Sequence, residues 1–517
     1  MIAVAALAAT LLSAGAPAGG LPAGSVCYEI FVRSFYDSDG DGVGDLNGLI
    51  QKLDYVSDLG ARCIWLMPVA ESPSYHGYDV TNYYRVDPDY GTNDDFKRLV
   101  AAAHRRGIRV LADLVLNHVS SEHPFFQDAL RRPGSAYRDW FRWSRAPGSN
   151  WHRSPVRDEY YYGFFWSGMP DLNFENPAVR EEAKQVARFW LREMGVDGFR
   201  LDAVRHLIET GDSTANTSGT HAVLRDFGQY VRSIAPDAVT IGEVWDSMGV
   251  LLTYYPDQLD AYFAFELSDA LLDAVRRGSA SKLFPGYLRL QRELPANRWA
   301  PFLRNHDQTR TLTLLGGDVA RAKLAATLLL TLPGLPFVYY GEELGMTGDK
   351  PDERLRTPMQ WTGGRAAGFT RGTPWEVLQP DSLTANVEAQ EGDTGSLLNL
   401  YRRLIHLRAE NAALSSGELV PLTASNGAVA AYLRVGGGRT VLVVANLGTT
   451  PLAGVTLSST RGVLPAGRYR SAAKPLRVGR DGQIKGYVPV GSLRPKQSYV
   501  FALSAGPAAG RRSVPRQ

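Results

Sequence analysis

A (β/α)8 TIM barrel followed by a separate antiparallel β domain is the fold this sequence predicts. Three observations carry it. Eight short apolar runs between Cys27 and His406 are continuous rather than alternating, as strands buried on both faces are. Amphipathic helical stretches lie between most of them, which favours a barrel over a doubly wound sheet. After Ala412 the pattern changes to alternating, glycine-punctuated strands. At 517 residues the chain also exceeds one ordinary core, so two or three domains are expected.

The chain opens with MIAVAALAATLLSAGAPAGG, an Ala/Leu run ending in small residues. It reads as a signal peptide over residues 1–24, although the basic start of such a peptide is missing. It is too short and too Gly/Pro-flanked to span a membrane. A secreted protein, extracellular or periplasmic, is therefore expected. The first strand is CYEIFV. The stretch LNGLIQKLDYVSDLG follows, with Leu49, Leu53 and Val56 at helical spacing before Gly60. CIWLMPV is the second strand, DDFKRLVAAAHRRG a helix and IRVLADLVLNH the third strand. About 60 residues rich in Trp, Tyr, Pro and Arg then precede the helical PAVREEAKQVARFWLREMG. A long insertion at the C-terminal end of a barrel strand is normally functional. VDGFRLDAV, AVTIGEVW, LDAYFAFEL, WAPFLRNHD and LPFVYYGEE complete the eight strands. HAVLRDFGQYVRSIAP, VARAKLAATLLLTLPG and GSLLNLYRRLIHLRAE supply further helices. VAAYLRV, GGGRTVLVVANLG and QSYVFAL belong to the C-terminal β domain, and SAGPAAGRRSVPRQ reads as a disordered tail. The expected division is barrel 25–118 and 177–412, insert 119–176, C-terminal domain 413–504 and tail 505–517.

Bulk charge narrows the partners. A net charge of +3 implies no polyanionic partner, and neither a nucleic acid nor a membrane is expected. A monomer is expected. Cys27 and Cys63 sit in the first two strands and read first as buried thiols, with a disulfide between neighbouring strands as the alternative. No histidine lies at zinc-ligand spacing from them.

Polar residues at barrel strand C-termini are the catalytic candidates. DLVLNH ends in Asn117 and His118, and GFRLDAVRH puts Arg200 and Asp202 on one strand face. IGEVW carries Glu243, and FLRNHDQTR carries His306 and Asp307. Three carboxylates, an arginine and two histidines then surround one site, which suits stabilisation of a positive, oxocarbenium-like centre. Arg200 beside Asp202 would keep that carboxylate ionised for nucleophilic attack. Glu243 has no cation beside it in sequence and is flanked by Val244 and Trp245. Partial desolvation would raise its pKa, as a general acid requires.

These segments resemble the signature regions of the α-amylase family of glycoside hydrolases, from about Val26 to Leu503. The resemblance implies an inserted domain after strand three, a C-terminal β-sandwich and a retaining double displacement. It assigns Asp202 as nucleophile, Glu243 as acid/base, Asp307 as transition-state stabiliser and Arg200 as the residue positioning the nucleophile. His118 and His306 match ligands of sugar hydroxyls just before the cleaved bond. Tyr78, with His76 nearby, matches the tyrosine stacking on that sugar. Arg205 and His206 stand where amylases usually carry Lys-His for the leaving-group side, and arginine differs there in hydrogen-bond geometry. MPDLN is intermediate between oligo-1,6-glucosidases and α-amylases, and GEVW is amylase-like. Asp79 in GYD and Arg356 in RTPMQW resemble a pair that caps the non-reducing chain end in exo-acting α-glucosidases. If the two meet, the cleft is a pocket; if not, it is open. An α-amylase acting on starch or maltooligosaccharides is expected. Exo-acting α-glucosidase, oligo-1,6-glucosidase, cyclodextrin-degrading and glucanotransferase activities are the alternatives. A non-catalytic barrel would need Asp202 or Glu243 replaced, and both are present.

Structural Ca2+ is expected at two places. In YDSDGDGVGD, counting from Asp37, aspartates stand at loop positions one, three, five and nine, namely Asp37, Asp39, Asp41 and Asp45. Val43 at seven offers a carbonyl, but position twelve is Gly48 where an EF-hand needs Glu. The loop therefore reads as a metal loop of another kind, or as a plain acidic turn. It resembles the calcium loop after the first barrel strand in oligo-1,6-glucosidase-like members. Asn117, Asp171 and the His206 carbonyl match a calcium site between barrel and insert in many α-amylases. The alternative is that Asn117 and Asp171 only hydrogen-bond across that junction.

Overall fold

The computed structural model describes residues 20–505. Eight parallel strands make the central sheet: β1 (Cys27–Ile30), β2 (Cys63–Leu66), β3 (Arg109–Leu114), β4 (Gly198–Leu201), β5 (Val239–Gly242), β6 (Ala261–Phe263), β7 (Trp299–Ala300) and β8 (Phe337–Tyr339). They pair in chain order, and β8 returns to pair with β1. Amides of Leu335 and Phe337 donate to the carbonyls of Trp299 and Pro301, both at 2.9 Å, and so close the ring between β7 and β8. Each strand falls on one of the apolar runs. Inward side chains, among them Leu111, Val239, Ile241, Phe263 and Phe337, fill the barrel as one apolar cluster. Gly198 shows how tightly β4 and β5 approach: a Cβ there would stand 2.0 Å from the Val239 carbonyl oxygen.

Cys27 and Cys63 are register partners, with Cα atoms 4.3 Å apart, and are joined as a disulfide. This corrects the reading as two buried thiols. Both were correctly placed in strands, but only the register puts them side by side.

Helices alternate with the strands. α1 (Leu46–Leu59) starts where Asp45 accepts the Gly48 amide and ends at left-handed Gly60. α2 (Asn93–Arg105) opens on a capping box between Thr92 and Asp95. The insert after β3 contains α3 (Pro124–Arg131) and a three-stranded antiparallel sheet of Trp143–Ser144, Trp151–Arg153 and Tyr160–Tyr162. Its end pairs back onto its beginning: His118 bridges Asp171, and the Leu172 amide donates to the Asn117 carbonyl at 2.9 Å. α4 (Pro177–Phe189) and α5 (Ser218–Ile234) follow. The run LDAYFAFEL is not one strand. β6 stops at Phe263, and α6 (Phe265–Arg277) and α7 (Phe284–Glu293) lead to β7. α8 (Val319–Thr331) and α9 (Leu397–Glu410) complete the outer ring.

Six antiparallel strands form the C-terminal sheet: β9 (Glu418–Pro421), β10 (Val429–Gly436), β11 (Arg439–Asn446), β12 (Gly467–Arg470), β13 (Leu476–Val478) and β14 (Gln497–Ala505). Their spatial order is β9-β10-β11-β14-β12-β13, and two short ribbons accompany them. Leu433, Val444, Leu457 and Ile484 belong to a separate core there. The fully buried Arg434 fastens this domain to the barrel by donating to the carbonyls of Thr331 and Gly417.

Most of the expected leader lies outside the described residues. Residues 20–24 belong to the barrel: Leu21 joins its interior cluster, and the Gly20 amide donates to Asp237. The expected tail, beyond Ala505, also lies outside them. Among the described residues no helix is long and apolar enough to cross a membrane.

Candidate functional site

The C-terminal ends of β1, β3, β4, β5 and β7 converge on Arg200, which is fully buried. Arg200 and Asp202 lie two residues apart on β4 and its end, so they share a face. Arg200 Nη1 is 2.7 Å from Asp202 Oδ1, and Nη2 is 2.7 Å from Glu243 Oε2. One guanidinium therefore spans both carboxylates. Glu243 has no cation beside it in sequence, and the adjacent strand β4 supplies one. Ala203, directly after Asp202, adopts a left-handed conformation at φ 47°, unusual for alanine. That turn aims its amide at Glu243 Oε2, 3.3 Å away.

Two residues of this cluster were not recognised from the sequence. Asp113 on β3 is the register partner of Arg200, and both its oxygens lie 2.9 Å from Arg200 Nη1. It also accepts from the Trp65 indole and the Tyr78 phenol. Glu29 on β1 stands 2.5 Å from His306 Nδ1. The available signal was a lone charge within an apolar run, in CYEIFV and in VLADLVL.

Charge is unevenly shared. Burial raises the pKa of both Asp202 and Glu243, with Arg200 opposing it in each case. Burial also pushes Asp113 up to about 7. Asp307 goes the other way: against its burial, His306 and then Arg356 hold it well below the usual carboxylate range. His306, despite burial, is pushed up to about 9 by Asp307 and Glu29. Glu29, Asp113, Asp202, Glu243 and Asp307 thus share the field of Arg200, Arg356 and His306, and burial raises all but Asp307.

The other predicted residues border this cluster. Tyr78 lies nearly parallel to His306, its phenol 2.7 Å from Nε2. His118 Nε2 lies 3.1 Å from the Tyr78 carbonyl, and burial brings its pKa down to about 4. His206 is stacked on Phe164 at 3.9 Å and is likewise brought down to about 4 by burial. Arg205 is ion-paired with Asp246 at 3.3 Å and donates to the Trp245 carbonyl. Asp79 accepts from Ser72 at 2.8 Å and from Ser74, with His76 Nδ1 3.8 Å away. Arg356 pairs with Asp307 at 2.9 Å and with Asp352 at 3.4 Å. Asp79 and Arg356 therefore do not meet as an ion pair, although both act on the charge of His76.

Two oxygen clusters suit a hard cation. Asp37, Asp39 and Asp45 bring carboxylate oxygens within 4.8 Å of one another. Asp41 stands outside this triad, with one oxygen accepting the Val43 amide at 2.7 Å. Despite its burial, Asp37 is held below the usual range by the Thr370 hydroxyl and loop amides. No basic side chain pairs with Asp37, Asp39, Asp41 or Asp45 among the described residues; amides and hydroxyls supply the partners of Asp37 and Asp45. At the second place, buried Asp171 Oδ2 and Glu209 Oε1 lack any hydrogen-bond partner. Burial raises Asp171 strongly, and Glu209 adds repulsion, whereas the Asn117 amide opposes the shift. A cation among these groups would relieve both. Glu209 was not recognised from the sequence. His206 borders the cluster through Phe164, whose amide donates to Asp171 at 3.1 Å.

A closed (β/α)8 barrel with acidic residues around an arginine at its C-terminal strand ends defines the class: this is a glycoside hydrolase. Residues 29–417 match the alpha-amylase catalytic domain, and the chain belongs to the alpha-amylase family. It is 43% identical to alpha-amylase 3 of Dictyoglomus thermophilum, over 82% of this chain and 84% of that one. It is 38% identical to the trehalose synthase/amylase TreS of Mycolicibacterium smegmatis, over 83% and 84%. The crystal structure of an alpha-amylase from H. orenii superposes with a TM-score of 0.79, at 38% identity, covering 93% of this chain and 99% of that one.

Proposed function

We propose that this enzyme hydrolyses internal α-1,4-glucosidic bonds of starch and maltooligosaccharides with retention, as an α-amylase. The observation that carries the choice is the separation of Asp79 from Arg356. Serine hydroxyls hold the first and Asp307 holds the second, so the two are not ion-paired, which supports an open cleft. The likeness to two alpha-amylases supports the same reading.

In this reading Asp202 attacks the anomeric carbon and forms a glycosyl ester. Glu243 gives its proton to the departing glycosidic oxygen, then takes one from the water that cleaves the ester. Arg200 opposes the rise that burial imposes on the Asp202 pKa and so favours the ionised nucleophile, while its second nitrogen holds Glu243 in line. Asp307, kept ionised by His306 and Arg356, faces the developing positive charge. Calcium would bind at the Asp37–Asp39–Asp45 loop and beside Asn117, Asp171 and Glu209, stiffening both loops. The Ala/Leu leader supports export.

Glucosyl transfer is the second reading. TreS supports it, as do Asp79 and Arg356, both buried beside His76. Chromatography of early products decides. Maltoheptaose should give a mixture of short maltooligosaccharides. Glucose as the sole early product would overturn internal cleavage, and trehalose formed from maltose would establish transfer.

A further inference from the structure

We propose a second glucan-binding site, outside the catalytic cleft, built around Tyr84. The inference rests on the α-glucan reading above. The hairpin of Ala70–Glu71 and Asn82–Val86 follows β2, and α3 follows β3, so both rise from the catalytic end of the barrel. Together with α4 they line an open surface groove of about 610 Å3.

Its wall has the chemistry that recognises sugars. Tyr84 is 36% exposed, whereas Tyr83, its neighbour on the strand, is buried. The exposed ring is held rigid. It packs edge-to-face with Phe189, centroids 5.2 Å apart at 71°, and its phenol donates to Glu182 Oε1 at 2.8 Å. A fixed aromatic face offers a platform for the C–H face of a glucose unit at little entropic cost. Planar hydrogen-bonding groups surround it: Glu182, Glu122, Asn82 and the ion-paired Glu71 and Arg85. Asn82 accepts the Tyr84 amide through Oδ1, so its amide nitrogen is the group that can donate to a ligand. Carboxylates and amides of this kind engage vicinal hydroxyls, one accepting and the other donating.

None of these side chains touches Arg200, Asp202, Glu243 or Asp307, so binding here separates from chemistry. Thr81 and Asn82 lie two and three residues after Asp79, and Glu122 lies four after His118. A chain held at Tyr84 therefore stays beside the cleft mouth, which would raise the local concentration of polymeric substrate.

The test compares adsorption to insoluble starch granules in the catalytically disabled Glu243→Gln background. Adding Tyr84→Ala should weaken adsorption about five- to tenfold, the worth of one stacked ring. Tyr84→Phe should retain most of it, and Glu122→Ala should weaken it. In the active enzyme, Tyr84→Ala should cut maltotetraose at the wild-type rate, which also shows that the variant folds. Adsorption unchanged by Tyr84→Ala overturns the site. Wild-type cleavage of maltotetraose without granule adsorption overturns the site and leaves the hydrolase reading intact. Neither cleavage nor adsorption overturns both.

Discussion

Arg200 carries one positive charge and faces Asp113, Asp202 and Glu243. Three anions around one buried cation cannot all stay ionised cheaply, so proton occupancy is the property this residue controls. Glu243→Gln keeps the shape and removes the transferable proton, and should lower kcat on soluble starch by about 10²–10⁴-fold with the fold intact by circular dichroism. Asp113 acts through Arg200 and is a positioning residue. Asp113→Asn frees the guanidinium charge for Asp202 and Glu243 and thereby lowers their pKa values. The basic limb of kcat/KM against pH should move down by roughly one unit. A lower kcat with an unmoved profile would reduce Asp113 to a packing role.

The loop between β1 and α1 shows how an element far from the chemistry can support it. The Asp37 amide donates to Phe369 at 3.1 Å, and the Trp375 amide donates to Gly42 at 2.9 Å. A Cβ on Gly42 would stand 2.0 Å from the Thr373 carbonyl oxygen, so only glycine permits this approach. An ion on Asp37, Asp39 and Asp45 would stiffen two segments distant in sequence. Chelation with EGTA should lower Tm by about 2–3 degrees and calcium should restore it, since saturation at 100 times Kd is worth about 2.7 kcal/mol. Asp37→Asn should respond less to the chelator; an unchanged wild-type Tm would sink the structural ion. Legibility follows the same division. Strands β1 to β8 could be read because each is a largely apolar run, and Asp202 and Glu243 because each directly follows a strand; Asp307 lies seven residues past β7, in the run WAPFLRNHD that reads as its continuation. Asp113, Glu29 and the Cys27–Cys63 bridge could not, because each owes its role to a register partner or to a neighbour across the barrel. α6 was hidden because its first residues continue the apolar run of β6.

At the scale of the whole molecule, buried titrating groups set the pH range of stability. Glu342, three residues past β8, accepts from Tyr401 of α9 and from Thr311. Adjacent Glu343 accepts from Tyr28 of β1 and Tyr55 of α1, so this pair of acids ties four parts of the barrel together. Burial pushes Glu342 up to about 7. The folded protein then holds this proton more tightly than the unfolded chain does. The resulting stabilisation is complete below about pH 4.5 and is lost as pH rises through about 7, a loss on the order of 3 kcal/mol. His118, His123 and His206 act oppositely, because burial brings each down to about 4. Their contribution is complete above about pH 6.5 and is lost as pH falls through about 4. The two sets oppose each other between these limits, so the Tm of wild type alone cannot separate them. The difference between Glu342→Gln and wild type cancels the histidines. It should shift in favour of the variant as pH rises from about 4.5 to 7.5, in step with the proton that only wild type must release. A difference that stays flat over this range would mean that Glu342 is already ionised in the folded barrel, with its charge carried by the Tyr401 and Thr311 hydroxyls.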